Sequence, residues 1–239
     1  MRLPVFLVFC LAGGLLAACA TATMSTSGPA AAPAGTIPYL ALGDSYTIGE
    51  GAAPAERWPV QLAALARAQG LPLAAPDIIA RTGWTTAELQ QAIAASGNTR
   101  RDYGLVSLLI GVNNQYRGQP VARYRAELRE LLAQATRFAG GRPGRVLVLS
   151  IPDWGQAPFA EGRDRARIGQ EIDEFNAVAH EECQRVGIRF VDITPLTRRA
   201  DGQFVADGLH YAGPQMRRWA ELALPPARQM LLKKGTGAQ

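Results

Sequence analysis

The sequence predicts an α/β fold: a three-layer α/β/α sandwich around a central five-stranded parallel sheet. Three observations lead to it. Five short apolar runs alternate with long segments of helical periodicity, as in strands joined by crossover helices. The runs are nearly continuous in apolar residues, which is how strands covered on both faces read. The polar motifs of the chain fall just after those runs, and open parallel sheets gather function at the carboxyl ends of their strands.

Each element has its own signal. Ile37 to Leu42 is an apolar run stopped by Gly43, and it predicts a buried strand. Trp58 to Ala68 carries apolar residues at helical spacing (Trp58, Leu62, Leu65, Ala66) and ends at Gly70. Asp77 to Ala80 reads as a short strand, and Thr86 to Ala95 as a helix with Leu89 and Ile93 turned inward. Gly104 to Ile110 is the most hydrophobic strand candidate, followed by a long amphipathic helix over Val121 to Phe138. Arg145 to Ile151 is a strand halted by Pro152, since proline cannot donate to a sheet ladder. Ile168, Ile172, Phe175, Ala179, Cys183 and Val186 mark one face of a further helix. Ile188 to Ile193 predicts the last strand and Gln215 to Leu231 the closing helix.

The N-terminal residues read as a segment outside this fold. Met1-Arg2 gives a positive start, and the mostly apolar stretch from Leu3 to Leu16 leads into Ala17-Ala18-Cys19, the pattern of a secretory signal peptide. The run Leu16-Ala17-Ala18-Cys19 also resembles a bacterial lipobox. Residues 1–18 are then the signal, and Cys19 is the site of lipidation. Such an anchor holds a protein at a membrane surface without a transmembrane helix. Ala20 stands where inner-membrane lipoproteins carry aspartate, so the resemblance implies export and the outer membrane, facing the periplasm. Residues 19–36 are rich in Ala, Ser, Thr, Pro and Gly and read as a flexible tether. Residues 37–234 are one domain's length, and 235–239 read as a disordered tail.

Composition narrows the function classes. The formal net charge of +5 is carried by arginines, since Lys233 and Lys234 are the only lysines. They are scattered along amphipathic segments, which reads as solvated helix faces; no nucleic-acid module is recognisable. No Cys/His cluster has metal-ligand spacing, and neither a metal nor an organic cofactor is expected. Cys183 is the only thiol left in the mature domain, on an apolar helical face, so it reads as a core residue.

The chain has two histidines, His180 and His210, and His210 ends Asp207-Gly208-Leu209-His210. Histidine suits a general base near neutral pH, and a carboxylate three residues upstream can orient its ring. His180 has no comparable neighbour and reads as a partly solvated residue beside the inward stripe of its helix. Ser45, in Leu42-Gly43-Asp44-Ser45-Tyr46, follows the first strand. Taken alone it reads equally well as a helix N-cap. Gly83 in Arg81-Thr82-Gly83-Trp84 and Asn113 in Gly111-Val112-Asn113-Asn114 follow the second and third strands. Each of these also reads as a plain turn residue.

Four segments in this order make the chain similar to the SGNH (GDSL-type) serine esterase/lipase family, over nearly the whole of residues 37–234. The resemblance implies a flavodoxin-like sandwich and a role for each motif residue. Ser45 would be the nucleophile, His210 the base and Asp207 its orienting acid. The Ser45 and Gly83 backbone N–H groups and the Asn113 amide would form the oxyanion hole. Asn114 and Asp44 fit structural roles better, Asp44 by shaping the turn. No Gly-x-Ser-x-Gly elbow occurs, against the ordinary α/β-hydrolase solution.

The expected reaction is hydrolysis of carboxylic esters with short acyl chains through an acyl-enzyme. Tyr46 and Trp154 adjoin the motif loops and are the candidates for lining a substrate pocket. Two substrate readings share the mechanism: a general carboxylesterase or lysophospholipase acting on lipid-like esters, and an O-acetyl esterase of envelope glycans. A reading from another class is a lipid-anchored binding or structural protein that keeps the fold without catalysis.

Overall fold

The computed structural model describes residues 35–199 and 201–232. The expected signal 1–18, the lipidation site Cys19, nearly all of the 19–36 tether and the 235–239 tail lie outside the described residues.

The order of elements is β1 (Tyr39–Gly43), α1 (Ser45–Ile48), α2 (Trp58–Ala68), β2 (Asp77–Ala80), α3 (Thr86–Ala95), β3 (Leu105–Leu109) and α4 (Val112–Tyr116). It continues with α5 (Val121–Phe138), β4 (Val146–Leu149), α6 (Arg165–Arg185), β5 (Arg189–Val191), α7 (Thr194–Thr197) and α8 (Gly213–Leu232). All strands pair in parallel, in the spatial order β2-β1-β3-β4-β5. Every residue of β1, β3 and β4 is buried, whereas the edge strands β2 and β5 are partly open. This is the five-stranded α/β architecture that the alternating runs predict.

Strand order determines where the helices go. The chain steps from β1 outward to β2, then crosses back to β3 and on to β4 and β5. With right-handed crossovers, α2 takes one face and α3, α5 and α6 take the other. The packing agrees: α2 lies against α8, with Trp58 and Trp219 fully buried, while α5 packs against both α3 and α6. The reversal of direction between β1 and β3 opens a crevice at their carboxyl ends, the usual ligand position in such sheets. The register aligns Gly43 with Ala80 on one side and Leu109 on the other, so β1, β2 and β3 end side by side.

The helices over Trp58–Ala68, Thr86–Ala95 and Val121–Phe138 have the bounds that periodicity predicts. The last strand is shorter than its apolar run. The last helix runs through Pro225 and Pro226, losing two main-chain donors, while Ala220, Ala223, Leu224 and Ala227 hold its inner face in the core. The short helices α1, α4 and α7 have no sequence signal, being too short to show a period.

One surface feature differs from expectation. Arg125, Arg129 and Arg185, read from sequence as solvated, converge on Glu182, which is only 1% exposed. Glu182 accepts from Arg125 Nη1 at 2.8 Å, Arg129 Nε and Nη2 at 2.9 and 2.8 Å, and Arg185 Nε at 2.8 Å. The three arginine side chains are a third to a half exposed, and one buried carboxylate ties α5 to α6.

Among the described residues no helix is long and apolar enough to cross a membrane. Nor does any group of three or more His, Cys, Asp or Glu side chains there sit where it would hold a metal ion.

Candidate active site

Each motif residue is placed by the end of a strand. Gly43 closes β1 where a side chain has no room: a Cβ there would collide with Thr47 Oγ1 and the Leu109 carbonyl of β3. Asp44 then caps α1, its Oδ1 accepting from the Tyr46 N–H at 3.0 Å. Ser45 is thereby held in the first turn of α1, only 4% exposed. The second carboxylate oxygen of Asp44 is buried without a hydrogen-bond partner, and burial pushes the group's pKa up to about 7. Its work is in the turn, as the sequence suggests.

Gly83 sits in the loop after β2 with φ +84°, a left-handed turn that only glycine adopts cheaply. Residues that follow β3 hold this loop. Asn113 Nδ2 donates to the Trp84 carbonyl at 2.9 Å, and Arg117 Nη2 donates to the Gly83 carbonyl at 2.5 Å. Asn114 accepts from the Thr86 N–H at 3.1 Å and donates to Thr86 Oγ1 at 2.7 Å. Asn114 is thus structural, joining α4 to the start of α3. Glu88 and Thr85 form a capping box there, and Glu88 also pairs with Arg117.

The Asp207–His210 turn shows why the three-residue spacing matters. Asp207 Oδ1 accepts from the backbone N–H groups of Leu209 and His210 at 2.8 and 2.9 Å, while Oδ2 meets His210 Nδ1 at 2.5 Å. One carboxylate thus shapes the turn and holds the ring. Partial burial alone would raise the Asp207 pKa, but the bonds from the His210 ring and the two N–H groups outweigh it, leaving the acid below its ordinary range. An ionised carboxylate only accepts, so the Nδ1 proton points at Asp207 and the neutral ring keeps its lone pair on Nε2. The turn is secured from outside by Val205 N–H to the His210 carbonyl (2.8 Å) and Phe159 N–H to the Gly208 carbonyl (3.0 Å).

Ser45, Asn113 and His210 all line a single cleft of about 170 Å³. The remaining walls are apolar: Tyr46, Val112, Tyr116, Trp154, Phe159 and Leu209. Both pocket candidates from the sequence therefore belong to the cleft, although each is largely buried. Tyr46 packs its ring 5.5 Å from that of His210, and Trp154 Nε1 donates to Gln115 Oε1 at 2.8 Å. The loop that carries Gly83 is tied to the cleft residue Asn113 through the Trp84 carbonyl and to Arg117 through its own carbonyl. Trp84 packs against the core, and Tyr211 is fully buried. His180 is exposed, its ring 5.2 Å from Phe190 and its Nε2 3.1 Å from Gln184 Nε2, in a separate surface hollow. Cys183 is buried, and burial pushes its thiol up to about 12, as a core residue.

Sequence reasoning missed the supports behind these walls. Gln115 is held by Glu171 at 2.8 Å, so the Trp154 indole is fixed through α4 to α6. Asp153, 1% exposed, accepts from Gly155 N–H and from Arg198 Nε at 2.9 and 2.8 Å, bracing the Trp154 loop from the residue that caps the end of α7. No local motif marks these pairs.

The model of the GDSL-like lipase/acylhydrolase family matches residues 41–213, from β1 to the first residue of α8. The chain belongs to that family. As a GDSL-like acylhydrolase it is an ester hydrolase, with the fold and motif order that the sequence predicts. No curated protein sequence matches the chain significantly. Among solved structures it is similar to a lipase/acylhydrolase from Enterococcus faecalis (TM-score 0.65, 20% identity, covering 85% of this chain and 100% of that one). It is also similar to a psychrotrophic esterase from a Pseudoalteromonas species (TM-score 0.62, 16% identity, 81% and 97%). A family 3 carbohydrate esterase from Clostridium thermocellum resembles this GDSL-like chain as well (TM-score 0.62, 19% identity, 82% and 97%).

Proposed function

We propose that this GDSL-like hydrolase cleaves short-chain carboxylic esters through an acyl-enzyme on Ser45. The observation that carries the reading is the His210 ring, oriented by Asp207, in the same small cleft as Ser45 and Asn113. Ser45 Oγ attacks the acyl carbonyl carbon while His210 Nε2 takes the hydroxyl proton. The imidazolium is stabilised by Asp207 and returns that proton to the departing alkoxide. Water then enters, gives a proton to the same nitrogen and attacks the acyl-enzyme; the imidazolium hands that proton to Ser45 Oγ as the ester bond breaks, releasing the carboxylic acid and free Ser45.

The oxyanion is assigned to the N–H groups of Ser45 and Gly83 and to the Asn113 amide. An amide nitrogen carries two protons; one of Asn113's is engaged by the Trp84 carbonyl, which leaves the other to donate. Asn113→Ala is expected to lower kcat about 10²- to 10³-fold with a much smaller change in KM, because the bond strengthens only as charge develops. Equal losses in substrate binding and turnover would remove Asn113 from the oxyanion hole.

Cleft size supports a short acyl group. A cavity of roughly 150 Å³ holds a benzene ring, so about 170 Å³ accommodates acetyl to roughly hexanoyl chains. Long-chain acyl groups would leave most of their length in solvent. An O-acetyl ester of an envelope glycan fits the same space, and a panel of p-nitrophenyl esters beside acetylated glycans separates the two substrates. The test of the reaction class is fluorophosphonate labelling of the purified protein, with Ser45→Ala as the blank. A folded wild type that takes no label refutes the nucleophile assignment and leaves the binding-protein reading standing.

We also assign residues 1–18 as a lipoprotein signal and Cys19 as the acylated anchor, which would tether the hydrolase to the outer membrane facing the periplasm. The support is the Leu16-Ala17-Ala18-Cys19 run and the Ala/Ser/Thr/Pro/Gly stretch after it. Cys19→Ser is expected to abolish acyl incorporation and move the protein to the soluble fraction. Unchanged membrane partition would refute the anchor.

A further inference from the structure

Tyr116 and Phe159, two of the four large hydrophobic residues found exposed among the described residues, both line the Ser45 cleft and so form its rim. Over this rim stands Arg163. Its guanidinium carbon lies 4.8 Å from the Phe159 ring centre, 5.4 Å from that of Trp154 and 5.7 Å from that of Tyr116. The rings pack on one another at 5.4 to 6.4 Å, inclined by 44° to 67°, and together make one aromatic platform. Three aromatic rings attract a cation and restrict a long side chain that would otherwise range freely.

Most arginines near the site are committed elsewhere. Arg117 is engaged with Glu88 and the Gly83 carbonyl, Arg167 with Glu171, and Arg198 with Asp153 and Asp173. Arg163 pairs with no carboxylate among the described residues, and none of its side-chain N–H groups has a hydrogen-bond acceptor there. Of the acids flanking it in sequence, Asp164 instead caps α6 by accepting from the Arg167 N–H. The result is a positioned cation with unspent donors at the mouth of an apolar cleft. That combination suits an oxyanion, which a guanidinium binds with two parallel N–H bonds.

The side of the substrate follows from the backbone. Phe159 N–H donates to the Gly208 carbonyl at 3.0 Å, so the platform is fastened to the turn that carries His210. His210 is the group that hands a proton to the leaving alcohol. An acyl chain filling the cleft leaves the alcohol at the mouth, on the side of Phe159 and Arg163.

We propose that Arg163 is a specificity determinant which selects esters whose alcohol portion carries a phosphate or a carboxylate. The inference rests on the reading of Ser45 and His210 as the hydrolytic pair. Three esters with one acyl group test it: 1-butanoyl-glycerol, 1-butanoyl-glycerol 3-phosphate and butanoyl-glycerate. In the wild type the ratio of kcat/KM for an anionic ester over the neutral one should exceed unity, and the better of the two anions identifies the natural group. Arg163→Gln should lower that ratio about fivefold, the scale of one solvent-accessible ion pair, through KM rather than kcat. Arg163→Lys should restore part of it, and added salt should erode it in the wild type. A ratio at or below unity, or one that Arg163→Gln leaves in place, overturns the proposal. A parallel titration separates this failure from that of the hydrolase reading. In Ser45→Ala, glycerol 3-phosphate or glycerate should quench tryptophan emission, with Kd about fivefold weaker once Arg163→Gln is added. If the folded wild type cleaves none of the esters, the Ser45 reading fails and the titration alone decides Arg163. Binding indifferent to Arg163 refutes the cation site whatever the esters show.

Discussion

Replacing Ser45 by alanine is expected to lower kcat by about a millionfold, close to the background of uncatalysed ester hydrolysis plus what binding alone supplies. The size follows from the way the three groups act together. Without the hydroxyl there is no oxygen to acylate, and the Asp207–His210 pair has no proton to accept. His210→Ala removes the acceptor and should cost nearly as much. The informative measurement is the double variant. Because serine and histidine act in one step, Ser45→Ala with His210→Ala should fall no further than either alone. Losses that multiply would mean that the two residues serve separate functions, and the shared mechanism would be wrong. His180→Ala is the matched control. His180 is exposed and set apart from the cleft, so kcat/KM should stay within a factor of two of wild type, a margin of about 0.4 kcal/mol.

Glu182 should give the largest loss of stability for a single surface-proximal change. Its carboxylate is buried and accepts four charge-assisted bonds from Arg125, Arg129 and Arg185, the last on its own helix and the others on α5. The three guanidiniums left behind are a third to a half exposed and regain water, so the loss is that of charge-assisted hydrogen bonds, about 1.5–3 kcal/mol. For a domain of this size that corresponds to about 6 °C in Tm for Glu182→Ala. The pH dependence gives an independent check. The Arg129 hydrogen bonds lead in lowering the Glu182 pKa from 4.5 to about 2, with burial opposing and Arg185 and Arg125 adding to the effect. Between those values the unfolded chain binds the proton and the folded one does not, so stability rises with pH across that window. The contribution is complete above pH 4.5 and is lost as pH falls toward 2. The stability gap between wild type and Glu182→Gln, measured by denaturant unfolding, should therefore narrow on acidification over this range. A gap independent of pH would mean that shape, and not charge, makes Glu182 matter.

What was legible in the sequence is what local chemistry controls. The helices at Trp58–Ala68, Thr86–Ala95 and Val121–Phe138 kept their predicted bounds because apolar residues recur at helical spacing through them and turn chemistry stops them. The Asp207–His210 pair was legible for a similar reason, since a three-residue spacing lets one carboxylate reach both the backbone and the ring. Other features depend on neighbours distant in sequence. The helices α1 and α4 are four and five residues long, too short to show a period, yet they carry Ser45 and Asn113. The arginines that looked solvated gather at Glu182 because α5 and α6 are brought side by side across the sheet.

The sequence by itself determined the order of strands and helices, the candidate nucleophile, base and acid, and the parallel sheet that alternating patterns require. Pattern and spacing are properties of neighbouring residues, and backbone geometry turns them into elements without further information. Only the tertiary structure decided that Ser45, Asn113 and His210 line one cleft of about 170 Å³. It alone placed Arg163 over three aromatic rings. The physical reason is that cleft volume and cation placement come from side chains converging from separate strand ends. Burial, register and packing set that convergence, and no stretch of sequence contains all of its members.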